Sequence, residues 1–267
     1  MSDFLHPLGT RAHEGPGRPS PFLGGNAMKK VILAAVSVSL GATALVGCGG
    51  EGSDEAFDGK SADTIAADAV KATRDAKSLR IVGKAKQSGG NEIGIDFHVD
   101  DQDRCTGTMT GQGAKADVLQ VGQSVYVRGD EKFWQNTLKG KPGTEEVVKQ
   151  VQGKWVASDP AQSGTEGMCD KQAALAMLDS DKSERKGMKK GETTEVDGTP
   201  ALILEKKQEN GEKITMYVAT EGEPYVLKAV SEGGEAPSET VLSDFNKKVD
   251  AQKPATDDVV DLKKINA

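Results

Sequence analysis

Residues Glu92–Asp100 (EIGIDFHVD) alternate without a break. Ile93, Ile95, Phe97 and Val99 fall on one face, and Glu92, Asp96, His98 and Asp100 on the other. A strict period of two describes a half-buried strand with one wet face and excludes a helix, whose apolar positions recur every three to four residues. Residues 79–87 precede it, and Ser88-Gly89-Gly90-Asn91 supplies turn residues that tolerate positive φ, so the two segments read as a hairpin. Segments 104–113, 116–122 and Ser124–Gly129 continue the series, which predicts an antiparallel meander of five strands. A second β run covers 192–196, 201–207, 213–220, 225–232 and 239–245, with turns at Asp197-Gly198, Asn210-Gly211 and Glu221-Gly222.

Helical periodicity frames these runs. In 61–77 the residues Ile65, Ala69, Val70, Thr73 and Ala76 recur at helical spacing, and Ser61 or Asp63 can cap the start. Helix formers also fill 133–138, 144–152 and 170–178, with Lys154-Trp155-Val156 as a link between them. The order of helix, strands, helices, strands predicts the α+β class: one antiparallel sheet of about ten strands with helices segregated to one side. Glycine is abundant, 32 residues, and Gly83, Gly94, Gly107 and Gly111 fall inside strands, where glycine marks bends and close approaches. A wide sheet curled in this way, with helices over its concave face, leaves an apolar hollow.

The N-terminal part has a different character. Met28-Lys29-Lys30 precedes an uncharged apolar run over 31–47, which ends in Leu45-Val46-Gly47-Cys48. A short cationic segment, an apolar core and small residues at a cleavage site describe an export signal over 28–47. Seventeen residues that include Gly41, Ser37 and Ser39 fall short of the ~20 needed for a comfortable membrane span. The stretch resembles a bacterial lipobox, and what that implies is a diacylglyceryl thioether on Cys48 as the mature N-terminus. Two acyl chains suffice for stable anchoring. Residues 1–27 are Pro- and Gly-rich without periodicity, so Met28 is the expected start and 1–27 a start-site artefact. Residues 48–60 read as a flexible tether of roughly 20 Å, followed by a single domain over 61–267.

Charge and cysteine usage narrow the functional classes. The formal net charge is −7, and the chain beyond Cys48 is more negative still, since residues 1–47 hold more basic than acidic side chains. That excludes a nucleic-acid surface, which selects for positive charge, and leaves membrane attachment to the lipid on Cys48. Two further cysteines remain, Cys105 and Cys169. In an exported chain such a pair is most simply a disulfide, with two free thiols as the competing reading. Closing a loop of about 65 residues would remove denatured-state entropy worth roughly 4 kcal/mol.

Catalytic chemistry is hard to assemble. Of three histidines only His98 lies beyond the signal segment, and it sits on the polar face of a strand. No G-x-S-x-G elbow is present, and Ser183-Glu-Arg-Lys186 matches S-x-x-K without its companion elements. Asp179-x-Asp181-x-Ser183 lacks the glycine and glutamate of a calcium loop, and Gly111-Gln112-Gly113 lacks the third glycine of a dinucleotide loop. No catalytic group, cofactor or metal site is expected. Leu79, Ile81, Ile93, Ile95, Phe97, Val99 and Met109, with Leu175 and Leu178, form an apolar set that serves either as core or as the wall of a ligand cavity. Trp134 and Trp155 bracket the helical middle, as cavity rim or as packing.

Taken with the lipobox, the Ala-rich helix (AADAVKATRDAKSLRIVGKA), DVLQVGQSVYVRGDEKFWQ and GKWVASDP resemble the LppX/LprG group of actinobacterial lipoproteins, which share the fold of the carrier LolA. The resemblance runs from about residue 61 to 254, most specifically at Val125 to Trp134 and at Lys154-Trp155-Val156. It implies a half-barrel of antiparallel strands covered by helices, with an apolar cavity for the acyl chains of a lipid or glycolipid. No short motif in it defines cavity residues. The expectation is a monomeric, non-enzymatic lipoprotein on the outer face of the cell membrane that binds or transports an acyl-chain ligand. The alternative is an envelope sensor or adaptor that binds a membrane-protein partner and carries no lipid.

Overall fold

The computed structural model describes residues 55–86, 90–158, 169–176, 185–234 and 236–261. Among these residues twelve strands form one sheet: β1 (Ser78–Lys86), β2 (Glu92–Asp100), β3 (Arg104–Gly111), β4 (Ala114–Val121), β5 (Ser124–Gly129), β6 (Trp155–Ser158), β7 (Lys189–Val196), β8 (Thr199–Lys207), β9 (Lys213–Ala219), β10 (Val226–Glu232), β11 (Ser238–Ser243) and β12 (Val259–Asp261). Their order is β12-β6-β5-β4-β3-β2-β1-β11-β10-β9-β8-β7. The sheet is curved and open, with β12 and β7 as its edges. Each meander is locally paired, and the two join where β11 lies antiparallel to β1, with Ile81 opposite Leu242 and Gly83 opposite Thr240.

The strand count corrects the expectation of about ten. In the sequence Lys154-Trp155-Val156 reads as a link between helices, and the expected strands end at 239–245, before 259–261. The four residues of β6 and three of β12 are too few to show an alternation, and only pairing reveals them. β12 pairs parallel to β6, so the sheet is mostly rather than wholly antiparallel.

Among the described residues four α-helices pack on one face: α1 (Ala62–Asp75), α2 (Glu131–Thr137), α3 (Thr144–Val151) and α4 (Lys171–Ala176). α1 lies against β7, β9 and β10, and α2 against β4 and β5. Ser61 caps α1 by accepting from Thr64 N at 3.2 Å. On the buried side Thr73 Oγ1 donates to Ala69 O and accepts from Val226 N at 2.9 Å. That bond satisfies an amide beside the register shift between Val226 and Lys228, where the ladder is interrupted. Asp63 accepts from Gly187 N and Met188 N, tying the start of α1 to the approach to β7. Within the range 48–60 read as a tether, Glu55–Phe57 forms a 3₁₀ turn and Phe57 is in the core.

The stretch VYVRGDEKFW now has a physical account. Asp130 caps α2 through Phe133 N at 2.7 Å and also holds β4 through Lys115 N at 2.9 Å. A Cβ at Gly129 would meet the Phe133 ring at 2.2 Å, so only glycine lets α2 turn back onto the strand it leaves. The helix therefore starts at Glu131, two residues before the expected 133.

Candidate functional site

Register decides which side chains share the helix-bearing face. Ile81, Gly83 and Ala85 of β1 stand opposite Phe97, Ile95 and Ile93 of β2. Ile95 faces Met109 of β3, and Gly111 faces Ala114 of β4. On the other side Thr240 and Ser238 of β11 face Ala229 and Ser231 of β10, which face Met216 and Ile214 of β9. In the middle of the sheet this face thus carries Gly, Ala, Ser and Thr between isoleucines. Small residues on the floor leave volume that helices placed at the two ends do not fill.

Two recesses open there and share Ile93 and Ile95. The first, of about 280 Å³, has Ile81, Ile214, Ala229 and Thr240 in its floor and Ala174 and Leu175 of α4 above it. The second, of about 410 Å³, lies between Met109, Gly111 and Ala114 below and Phe133, Asn136 and Thr137 of α2 above. Both are near or within the roughly 300–1,000 Å³ typical of small-ligand sites, with mainly apolar walls.

α4 is held over the first recess by three independent attachments. Cys169, two residues before it, is bonded to Cys105 of β3, with a Cα–Cα distance of 5.4 Å. Lys171 is buried, and its ammonium donates to Arg74 O and Ala76 O at the C-terminal end of α1, where the helix dipole favours a cation. Leu175 is 2% exposed. Asp170 caps the helix through Gln172 N and Ala173 N.

The apolar set named from the sequence divides along each strand. Ile81, Ile93, Ile95, Met109 and Leu175 line the recesses. Leu79, Phe97 and Val99 do not; at 1%, 1% and 0% exposure they are core beneath the helices. Leu178 and Cys48 lie outside the described residues. Neither tryptophan lines a recess: Trp134 is buried edge-on to Phe133, and the Trp155 ring lies 4.5 Å from the Arg128 guanidinium. Ile214, Ala229, Thr240, Phe133 and Glu212 were not anticipated. Ile214, Met216 and Val218 do alternate in the sequence, but nothing local says that β9 and β1 share one floor.

The opposite face of β1 and β2 is polar, while beyond it Ala201, Ala219 and Leu227 form a small apolar cluster. Arg80 donates to both carboxylate oxygens of Asp96, at 2.8 and 2.6 Å. That bond holds the Asp96 carboxyl below its usual range, with partial burial opposing. Asp244 is likewise lowered, first by the Lys247 hydrogen bond at 2.6 Å, with His98 and Arg80 adding attraction. His98 is half-exposed, its Nε2 3.8 Å from Asp244. Among the described residues no group of three His, Cys, Asp or Glu could hold a metal ion, and no helix is long and apolar enough to cross a membrane. Ser183, Asp179 and Asp181 lie outside the described residues.

No protein-family model and no curated protein matches the sequence. In layout the chain is similar to mycobacterial lipoproteins and a LolA superfamily protein of known structure. LprF from Mycobacterium bovis is 15% identical with a TM-score of 0.49, covering 73% of this chain and 97% of that one. LppX from Mycobacterium tuberculosis is 13% identical with a TM-score of 0.44, covering 71% and 97%. A LolA superfamily protein from Nitrosomonas europaea is 11% identical with a TM-score of 0.26, covering 74% and 96%. At these scores the likeness carries no inference about activity, and the functional reading rests on the cavity.

Proposed function

We propose that this chain is a non-enzymatic, lipid-anchored binding protein of the cell envelope, which holds an acyl-chain ligand in the groove between the sheet and α2 and α4. The observation that carries this reading is the pair of adjoining recesses over a floor of small residues and isoleucines. Each methylene moved from water into such a groove contributes about 0.8 kcal/mol, so an acyl chain binds without any catalytic or metal group. LVGCGG supports acylation at Cys48 and attachment to the outer face of the membrane, with a single domain beyond the tether. The chain works as a monomer.

The test uses the full chain carrying Cys48→Ala, which removes the acylation site. Titration with the neutral apolar fluorophore N-phenyl-1-naphthylamine gives saturable binding, and acyl-chain amphiphiles displace it. Absence of saturable uptake contradicts the reading.

A further inference from the structure

The walls of the first recess are mainly apolar, with the hydroxyls of Ser238 and Thr240 in its floor and a carboxylate at one end. There Glu212, in the turn between β8 and β9, and Ser231 of β10 both line it. Ser231 Oγ donates to Glu212 Oε1. Glu212 Oε2 receives Gln208 Nε2 and Asn210 Nδ2, each at 3.4 Å, the outer limit for such a bond. A carboxylate accepts about four hydrogen bonds, two at each oxygen, so Oε1, which receives only Ser231, keeps capacity for a strong donor. The turn is built to admit this side chain: Glu212 N donates to Asn210 Oδ1 at 2.9 Å. A Cβ at Gly234 would stand 3.2 Å from the Glu212 carboxyl carbon.

Among the described residues no opposing cation shares the recess wall through its side chain. Lys84 lines it, but its place between Gly83 and Ala85 in β1 aims its side chain to the other face, opposite Glu239. Lys206, in register with Ile214, is not part of the lining. An apolar groove whose polar end is a single carboxylate with acceptor capacity attracts hydrogen-bond donors and repels anions.

Resting on the proposed acyl-chain reading, we propose that Glu212 selects the headgroup. The groove takes amphiphiles whose polar end donates hydrogen bonds without negative charge, such as a glycerol or sugar hydroxyl, and rejects those ending in phosphate or carboxylate. A charge-assisted hydrogen bond contributes about 1.5–3 kcal/mol, which corresponds to about tenfold to a hundredfold in affinity.

The experiment displaces N-phenyl-1-naphthylamine from the full Cys48→Ala chain with 1-oleoylglycerol and with 1-oleoyl lysophosphatidate, which share one chain and differ in the head. The glycerol lipid is expected to bind at least about tenfold more tightly. Glu212→Gln narrows that ratio and Glu212→Lys inverts it, the two lipids being compared within each variant so that any change in fluorophore affinity cancels. Ser231→Ala, which leaves the carboxylate in place, retains the preference for glycerol. A ratio that Glu212→Lys does not move, or a wild-type preference for the phosphate, overturns the assignment while fluorophore binding leaves the acyl-chain reading standing. A chain that takes up no fluorophore overturns both.

Discussion

Cys169 is bonded to Cys105, so the segment leading into α4 is anchored to the buried side of β3, 64 residues earlier in the chain. The bond joins a helix of six residues, too short to hold its place by propensity, to the middle of the sheet. The groove has its α4 roof where that attachment puts it. Replacing both cysteines by alanine is expected to lower stability by up to about 4 kcal/mol in the chain-entropy model and to weaken fluorophore binding. Urea unfolding with and without reductant checks the first effect, and titration the second. An unchanged unfolding midpoint would remove the bridge from the account.

Filling the floor tests the groove without touching its roof. Ala229 is half-buried on the inner face, between Thr240 and Met216. Ala229→Phe is expected to occupy the first recess and abolish or strongly weaken ligand uptake, with the circular dichroism of the sheet retained. Retained uptake in a folded variant would place the ligand elsewhere.

This division between floor and core shows how far the sequence is legible. The alternation of Ile93, Ile95, Phe97 and Val99 identifies β2 and its inner face. It says nothing of where along the strand the helices stop, and that boundary leaves Phe97 in the core and Ile95 in the cavity. The boundary depends on Cys169 and Lys171 reaching Cys105 and the end of α1, contacts between residues about a hundred or fewer positions apart that no local pattern encodes. Glu212 was visible only as the residue after an Asn-Gly turn, and its place at the groove follows from β9 and β10 pairing.

Asp130 serves two elements at once. Asp130→Ala removes the α2 cap and the bond from Lys115 N, and a cost of about 1–2 kcal/mol is expected from urea unfolding. Asp130→Asn, which retains an acceptor, is expected to cost less. Equal loss in the two variants would mean that charge, not capping, matters there.

The polar face sets a weak acid limit. The carboxyls of Asp96 and Asp244 are both lowered from about 3.8, so their stabilisation is present above that pH. It is lost as pH falls through the lower folded values. The Asp96 side chain is 38% exposed, and solvent screening limits the pair with Arg80 to at most about 1 kcal/mol. Asp96→Asn is expected to lose that amount at pH 7 and little at pH 2, measured by urea unfolding at both. A larger loss at the lower pH would reverse the assignment.

A backbone prediction stands apart from side-chain chemistry. A Cβ at Gly107 would lie 2.0 Å from the Asp96 carbonyl oxygen and 2.5 Å from the Phe97 ring, so β3 must shift to accept it. Gly107→Ala is expected to cost about 1–3 kcal/mol, as overpacking does. Gly122→Ala, with open space around its Cβ, carries only the strain of its φ of +60°. Thermal unfolding of the two variants compares them, with Gly107→Ala the less stable.

The central claim is that the groove carries an acyl-chain amphiphile. Native mass spectrometry of the full chain, purified from the membranes of a lipoprotein-processing bacterium, measures this most directly. The account predicts a non-covalently bound acyl lipid, distinct from the modification on Cys48 and absent from Ala229→Phe. A spectrum of ligand-free protein alone, from preparations that also fail to take up N-phenyl-1-naphthylamine, would contradict it.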